Sequence, residues 1–417
     1  MRSRSATYSW LSWSPWLRPS CPLRRATGGP GWTGTWEAAA AGIATELPGQ
    51  SIRDDVIHTS VGGRAVRIRV SNRLGTAPLE LGAATVAIQE TGAPKSSNAL
   101  AGTLRPITFR GAASDTVPAG QDAVSDPVPL HVPSDTNLLL SLYTPADSGP
   151  ATYHRSALQT SFPAPGGDHT ADQGGTAYTA TTGFWYYLTG VDVLGARAAR
   201  SVVALGDSIT DGSGSTSNAK HRWPDRLAAR LRQLPPRERL GVLNAGIAGN
   251  RVLLNGTGPS ALSRLDGDVF SRSGARALIV MEGINDIRGR PNQTDPAAFE
   301  AAYREIVTRA HSHGIRVVGA TITPYGGNGG WTEAREAVRQ SVNEPTRHGG
   351  VFDAVVDFDA VVRDPDVPDR ILPAYDSGDH LHFNNAGLQA MADAIDLHSL
   401  TGKDFPIVLS SRDRDGR

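Results

Sequence analysis

Three residues in two short motifs have the chemistry to activate a serine hydroxyl. Ser208 stands in a Gly-Asp-Ser turn after the apolar run 203–205, and Asp379 and His382 lie three residues apart near the C-terminal end. A serine hydroxyl is a poor nucleophile until a base takes its proton, and that base needs a third group to orient it. Ser208, His382 and Asp379 can supply these three roles.

Two further motifs lie between these residues. Gly249 ends the segment Asn-Ala-Gly-Ile-Ala-Gly after the apolar run 240–243, and Asn285 lies in Gly-Ile-Asn-Asp after the run 277–281. The four blocks, in this order, resemble those of the SGNH hydrolases, the GDSL esterase/lipase superfamily. The resemblance covers roughly residues 200–400.

The resemblance implies a role for each matched residue. Ser208 would be the nucleophile, His382 the base, and Asp379 the group that orients the imidazole. The backbone N–H groups of Ser208 and Gly249 and the side-chain amide of Asn285 would form an oxyanion hole for the tetrahedral intermediate. The family's fold would be a flavodoxin-like three-layer α/β/α domain, and no cofactor is implied.

Each of these residues also has a structural alternative. Ser208 could cap a helix, Gly249 could serve a turn, and Asn285 could form an Asx turn. Four blocks in order, each beside a predicted strand end or helix start, favour the catalytic interpretation. Nearby acids are predicted to cap helices or brace loops: Asp207, Asp211 and Asp286.

His380 competes with His382 for the role of base. In the family, an aspartate three residues earlier holds the imidazole, and Asp379 has this spacing to His382 but not to His380. Asp376 is interpreted as a turn residue. The pair His380 and His382 could bind a metal, but zinc usually needs a third and a fourth ligand. Because no second His/Glu cluster accompanies the pair, we predict no metal.

The composition argues against polyanionic partners. Lys+Arg and Asp+Glu both number 41, so the formal net charge is zero, which disfavours nucleic acid and anionic membranes. Cys21 is the only cysteine, which excludes an intrachain disulfide. No apolar run reaches the ~18 residues of a membrane-spanning helix. We expect a monomer that acts on a small-molecule or carbohydrate ester.

Residues 1–30 form an unusual leader. Arginines supply positive charge, but the apolar part at 10–17 is short and is broken by Pro15. A secretory signal needs an apolar core of about 7–15 residues and a small-residue cleavage site. A degenerate signal, a transit-like leader, a disordered segment and a mis-assigned start all remain open. SGNH hydrolases with an additional N-terminal β-domain are commonly exported, so we expect secretion, with the cytoplasm as the alternative.

Residues 31–194 show the pattern of an all-β domain. In the run 64–70, Val66, Ile68 and Val70 alternate with arginines, which predicts a half-buried strand. Further short apolar runs, separated by Gly, Pro, Asp and Ser, lie at 79–88, 107–109, 128–132 and 138–143. This spacing predicts a β-sandwich or jelly roll.

From Ser201 onward, strands alternate with amphipathic helices. Apolar residues mark one face of each helix: Trp223, Leu227, Leu231 and Leu234, then Phe299, Tyr303, Ile306, Val307 and Ala310. This order predicts a parallel sheet with helices on both faces and a ligand site at the carboxyl ends of its strands. We therefore predict a linker at 195–200, a catalytic domain at 201–405 and a tail at 406–417.

These observations predict a serine ester hydrolase for acetylated carbohydrate or other short-acyl esters. A lipase or phospholipase is an alternative, ranked lower because no long apolar lid is evident. An acyltransferase would use the same residues. A non-catalytic carbohydrate-binding protein is a third alternative, against which the four intact blocks argue. The β-domain could bind polysaccharide or brace the enzyme, and the short linker favours a brace.

Overall fold

The computed structural model describes residues 31–45, 47, 50–90, 96–146, 149–196 and 200–401. The predicted leader and tail, and part of the predicted linker, lie outside these ranges. Across them, no helix combines the length and the apolar character that crossing a membrane requires.

The described residues before 195 form strands and no regular helix. The strands are β1 (Trp32–Glu37), β2 (Gly42–Ala44), β3 (Ser51–His58), β4 (Gly63–Ser71), β5 (Leu79–Leu81), β6 (Ala83–Ile88), β7 (Arg105–Pro106), β8 (Asp115–Val117), β9 (Asp122–Val124), β10 (Val128–Val132), β11 (Asn137–Tyr143), β12 (Ala151–His154), β13 (Phe162–Ala164), β14 (Trp185–Tyr186) and β15 (Leu188–Leu194).

Two larger antiparallel sheets organise these strands. One has the order β1-β15-β4-β10, with β9 also beside β4, and the other has the order β13-β3-β11-β6-β7. Val66 and Ile68 of β4 share one hydrophobic cluster with Leu138 and Leu140 of β11, so the core lies between the two sheets. Smaller sheets pair β14-β12-β2 and β5-β8.

The arginine-bearing face of β4 is also covered. Arg67 and Arg69 each donate a 2.9 Å hydrogen bond to Ser273 Oγ in the C-terminal half of the chain. Both arginines also pair with the buried Asp192 of β15. From Arg67 onward the strand is therefore covered on both faces, and the half-buried strand that its alternation predicts is wrong there, although Arg64 is exposed.

Two of the predicted apolar runs differ in detail. The run 79–88 divides at Gly82 into β5 and β6, which belong to different sheets. Residues 107–109 lie outside the regular strands. Ile107 and Phe109 are nevertheless buried in the core, so their apolar character reflects burial rather than strand formation.

The C-terminal half alternates strands and helices. The elements are β16 (Ser201–Gly206), α1 (Ser208–Asp211), α2 (Trp223–Arg232), β17 (Gly241–Gly246), α3 (Ala261–Leu265), a π-helical turn (Asp266–Phe270), β18 (Ala275–Met281), α4 (Ile284–Arg288), α5 (Pro296–Ser312), β19 (Arg316–Ala320), α6 (Glu333–His348), β20 (Ala354–Val356), α7 (Phe358–Val362), α8 (Asn385–Ala394) and α9 (Leu397–Thr401).

The strands of this half form one parallel sheet in the order β17-β16-β18-β19-β20. Numbered by their occurrence, this is the order 2-1-3-4-5 of flavodoxin-like sheets. Val203 and Leu205 of β16 belong to a hydrophobic cluster with helix α5, whereas Val202 and Ala204 belong to another with helix α2. Because successive strand residues point to opposite faces, these helices cover opposite faces of the sheet.

Strand β1 joins the two halves of the chain. Gly34 N–H donates to Ser273 O at 2.9 Å, and Ala38 forms a parallel bridge with Asn244. The buried carboxylate of Glu37 lies 2.7 Å from the guanidinium of Arg272. The β-rich half is thus attached through backbone and charged contacts.

Candidate active site

The first three sequence motifs meet at one edge of the parallel sheet. Gly206, at the end of β16, is in register with Gly246 of β17 and Met281 of β18. Parallel strands end at the same edge, so the segments that carry Ser208, Gly249 and Asn285 emerge side by side. The topology therefore gathers residues that are far apart in the chain.

Ser208 begins helix α1 directly after a tight turn. Asp207, not Ser208, caps this helix, because its side chain accepts a 2.9 Å hydrogen bond from Ile209 N–H. The turn requires glycine at 206: a Cβ there would overlap Thr210 Oγ1 and lie 2.8 Å from Met281 O. The capping alternative for Ser208 is thus wrong, and its hydroxyl remains available for other contacts.

His382 connects Ser208 to Asp379. Its Nε2 lies 2.8 Å from Ser208 Oγ, and its Nδ1 lies 2.6 Å from Asp379 Oδ2. Nδ1 must carry a proton to donate to the carboxylate, which leaves Nε2 to accept the proton of the serine hydroxyl. The three side chains form a continuous hydrogen-bonded chain from carboxylate to hydroxyl.

Asp379 is held as an anion by its own loop. Partial burial raises the pKa of Asp379, but hydrogen bonds from the N–H and imidazole of His382 and from Leu381 N–H outweigh this and hold that pKa well below its usual range. The two backbone bonds measure 2.8 and 3.0 Å and share Oδ1. Asp379 therefore stays ionised and keeps the imidazole in one orientation.

His380 and Asp376 form a second His–Asp pair, separate from His382 and Asp379. His380 Nδ1 lies 2.5 Å from Asp376 Oδ2, and half of the His380 side chain is exposed. Asp376 also accepts hydrogen bonds from Gly378 N–H and His380 N–H, which makes it a turn residue. The structure brings His382, and not His380, to Ser208.

Asn285 and Gly249 are linked through Asn250. The side-chain amide of Asn285 donates a 2.9 Å hydrogen bond to Asn250 O, so one of its two N–H donors is used to hold the loop. Gly249 has φ +82°, a left-handed conformation that L side chains rarely adopt. The structure thus joins the loops of the two predicted oxyanion-hole residues.

Arg264 lies beneath the site and was not singled out in the sequence. Its buried guanidinium donates to Ala245 O at 2.6 Å, Gly206 O at 3.1 Å and Asn250 Oδ1 at 3.0 Å. It also lies 3.4 Å from Glu282 Oε1, just after β18. One side chain therefore ties together the ends of three strands. No local pattern marks it, because an arginine on a short helix is usually exposed.

Two buried carboxyl groups accompany Arg264. Burial, together with the nearby carboxyl of Asp286, raises the pKa of Asp207 to about 7. Burial also raises the pKa of Glu282 well above its ordinary value, with a second contribution from Asp207. Burial therefore favours the protonated form of both carboxyl groups at the end of the sheet where Ser208 lies.

The other acids near the motifs brace loops, as the sequence predicts. Asp211 accepts a 3.0 Å hydrogen bond from Ala248 N–H. Asp286 accepts hydrogen bonds from Val252 N–H at 2.9 Å and Leu253 N–H at 3.1 Å. Within the described residues, no three His, Cys, Asp or Glu side chains are grouped as a metal site would need.

The C-terminal half is thus a parallel α/β domain in which hydrogen bonds join Ser208, His382 and Asp379. Residues 204–390 match the model of the GDSL-like lipase/acylhydrolase family, so this part of the chain is a domain of that family. No curated protein matches the chain.

Several solved structures are similar to the C-terminal half. A lipase/acylhydrolase from Enterococcus faecalis is 20% identical with a TM-score of 0.37, and covers 49% of this chain and 96% of its own. The aryl esterase of M. smegmatis is 16% identical with a TM-score of 0.38 (47% and 96% covered). A carbohydrate acetylesterase from Sinorhizobium meliloti is 17% identical with a TM-score of 0.37 (47% and 95% covered). At these values the similarity carries no information about substrate.

Proposed function

We propose that this protein is a serine ester hydrolase whose triad is Ser208, His382 and Asp379. The observation that carries the proposal is the 2.8 Å contact between His382 Nε2 and Ser208 Oγ, with Asp379 2.6 Å from the other ring nitrogen. Family membership of residues 204–390 supports the same reaction class. The single chain supplies nucleophile, base and orienting group, so the proposed reaction uses no cofactor.

The proposed reaction has two halves. Ser208 Oγ attacks the ester carbonyl while His382 Nε2 takes its proton, and collapse of the tetrahedral intermediate expels the alcohol, which receives that proton. Water then attacks the acyl-serine, again giving a proton to His382, and the carboxylic acid leaves as Ser208 recovers its proton. Asp379 stays ionised and stabilises the imidazolium formed in each half.

The proposed oxyanion hole has three donors. Ser208 N–H lies in the first turn of α1, where backbone donors have no acceptor within the helix. Asn285 donates one amide N–H to Asn250 O, which orients the second for a ligand. Gly249 N–H is the third donor, and its lack of a side chain permits close approach of the substrate.

The proposed substrate is an acetylated carbohydrate or another short-acyl ester. Polar groups surround the triad loop: Asn328 donates to Asp379 O at 2.8 Å, and Arg288 donates to Asn328 at 3.1 Å. The ring of His380 lies beside Gly327, the residue that precedes Asn328. Such surroundings suit a hydroxylated alcohol portion better than a long acyl chain.

We further propose that the two larger sheets of the β-rich half form a sandwich and that the catalytic domain has three α/β/α layers.

Labelling and substitution test the nucleophile. A fluorophosphonate should modify the wild type at Ser208, and Ser208→Ala should lose nearly all hydrolysis of p-nitrophenyl acetate. Mass spectrometry of the labelled peptide identifies the site, and Ser341→Ala provides a control because the exposed Ser341 hydroxyl donates to Ala337 O within helix α6. Label on another residue, or full activity of Ser208→Ala, contradicts the proposal.

A substrate series tests the acyl preference. Rates should fall as the acyl chain of p-nitrophenyl esters lengthens beyond a few carbons, and acetylated xylan should release acetate. Adding an alcohol acceptor and analysing the products distinguishes hydrolysis from acyl transfer. Fastest turnover of long-chain esters would instead indicate a lipase.

A further inference from the structure

The β-rich half reaches the predicted oxyanion hole through the end of strand β12. The oxyanion loop is defined here as residues 247–250, which include Gly249. Arg155 Nη2 donates a 3.0 Å hydrogen bond to Ala248 O in this loop. The carbonyl of Ala248 and the N–H of Gly249 belong to the same peptide group, so Arg155 contacts the peptide whose N–H is a proposed oxyanion donor.

His154, which precedes Arg155 in the chain, is linked through Asp211 to the backbone N–H of Ala248. Its Nε2 lies 3.0 Å from Asp211 Oδ1, and Asp211 Oδ2 accepts Ala248 N–H at 3.0 Å. The other ring nitrogen of His154 lies 2.9 Å from Ala39 O. Because a carbonyl can only accept, that nitrogen carries a proton. His154 and Asp211 are both buried, so this chain of contacts is shielded from water.

These contacts constrain the orientation of the peptide that follows Ala248. A peptide group is planar, and its N–H points opposite to its C=O. Fixing the direction of Ala248 O therefore fixes the direction of Gly249 N–H. A guanidinium on the carbonyl also polarises the peptide, which strengthens its N–H as a donor. Since glycine has unusual backbone freedom, the loop needs such support from outside.

We infer that His154 and Arg155 are positioning residues for the oxyanion hole, so that the β-rich half completes the catalytic machinery. The inference rests on the proposed function, in which Gly249 N–H binds the oxyanion. Arg155 holds the carbonyl of the donor peptide directly. His154 holds the preceding peptide through Asp211, which lies on the nucleophile helix α1 itself.

Other contacts between the two halves lie elsewhere and provide a control. Arg67 donates to Ser273 Oγ at 2.9 Å, just before β18 begins. Arg73 donates to Asp268 at 2.8 Å, also before β18. Parallel strands begin at the edge opposite to the one where they end, so these arginines hold the two halves together away from Ser208.

The first experiment compares Arg155→Gln with Arg67→Gln in the full-length protein. Arg155 is exposed, so its replacement should leave folding intact. For p-nitrophenyl acetate, Arg155→Gln should lower kcat by roughly 10- to 100-fold, as expected when a catalytic group is displaced, with little change in KM. Arg155→Lys should recover part of the loss. Arg67→Gln should lower the thermal unfolding temperature but leave kcat within about twofold.

A boronic acid gives a readout of the oxyanion hole itself. Boronic acids add to a serine Oγ to give an anionic tetrahedral boronate, one oxygen of which lies where the oxyanion forms. The inhibition constant should rise in Arg155→Gln in parallel with the loss of kcat/KM, because a transition-state analogue senses the same interactions. A rise in KM at constant kcat would make Arg155 a substrate-binding residue and overturn the inference.

His154→Ala gives a second, independent test. His154→Ala should lower kcat, as Arg155→Gln does, and Asp211→Asn should have a similar effect on kcat. If His154→Ala fails to fold, the Arg155 comparison alone decides. Equal kcat values for Arg155→Gln and Arg67→Gln would refute the positioning role. The proposed function would still stand if Ser208→Ala is inactive while the wild type is active. Absence of hydrolysis by the wild type would refute the proposed function first.

Discussion

The imidazole of His382 and the hydroxyl of Ser208 lie 2.8 Å apart, although 174 residues separate them in the chain. The two residues come from different elements: Ser208 starts helix α1, and His382 lies in the loop before helix α8. Their contact gives the serine a base only because Asp379, three residues before His382, holds the far side of the ring. The geometry makes each member testable.

His382→Ala should abolish ester hydrolysis, whereas His380→Ala should retain much of it. Only His382 contacts Ser208, while His380 pairs with Asp376 at the surface. Steady-state kinetics on p-nitrophenyl acetate measure both variants, and the reverse ranking would refute the assignment.

The rate of hydrolysis by the wild type should fall as the pH is lowered, because a protonated imidazole cannot accept the serine proton. Chelators should leave the rate unchanged, and inhibition by EDTA would indicate a metal.

Asn285→Ala should lower kcat by about 10²–10³ with a smaller change in KM, because an oxyanion donor acts mainly in the transition state. Asn385→Ala is a suitable control, since Asn385 contacts Thr216 and no triad member. Circular dichroism must show that the variant is folded, because Asn285 also bonds Asn250 O. An effect confined to KM would make Asn285 a substrate-binding residue.

Asp207→Asn should alter how stability depends on pH. Burial raises the pKa of Asp207 from 3.8 to about 7, so folding retains a proton that the unfolded chain loses above pH ~4. The contribution of Asp207 to the free energy of unfolding is fully present below the pKa that this carboxyl has in the unfolded chain. It is lost as the pH rises through the pKa of Asp207 in the folded protein.

Urea unfolding between pH 4 and 8 measures this effect. The wild type should lose stability relative to Asp207→Asn as pH rises from about 4 to about 7, and the difference should level off above that. Glu37, whose pKa burial raises to about 8, remains in both proteins and contributes equally. Parallel stability curves for the two proteins would contradict the raised pKa.

Residues 195–417 alone should be insoluble or inactive on every ester. Removal of the β-rich half takes Glu37 from Arg272 and Arg73 from Asp268. Arg272 and Asp268 still pair with each other at 3.5 Å, but each loses one partner and the part of the chain that covers it. Expression of the fragment, followed by assays on p-nitrophenyl acetate, tests this prediction. A soluble fragment with unchanged small-ester kinetics would show that the β-rich half is an independent module.

Short segments of sequence were sufficient to identify the candidate triad. The turn at Ser208 and the Asp379–His382 spacing involve residues within a few positions of one another, so their local geometry follows from their own side chains. The helix periodicity was equally local: Trp223, Leu227 and Leu231 are all buried in α2, because a 3.6-residue repeat places them on one face. The parallel sheet followed from the alternation of such elements.

Tertiary structure alone decided what surrounds the triad. Arg264 bonds to three strand ends, and His154 meets Asp211 across 57 residues, yet neither carries a local sequence pattern. Arg67 and Arg69 of β4 look solvent-facing by alternation but contact Ser273 in the C-terminal half. Strand alternation tells which side chains share a face, but not what covers that face. The sequence thus determined the groups that do the chemistry, and long-range packing decided which groups hold them.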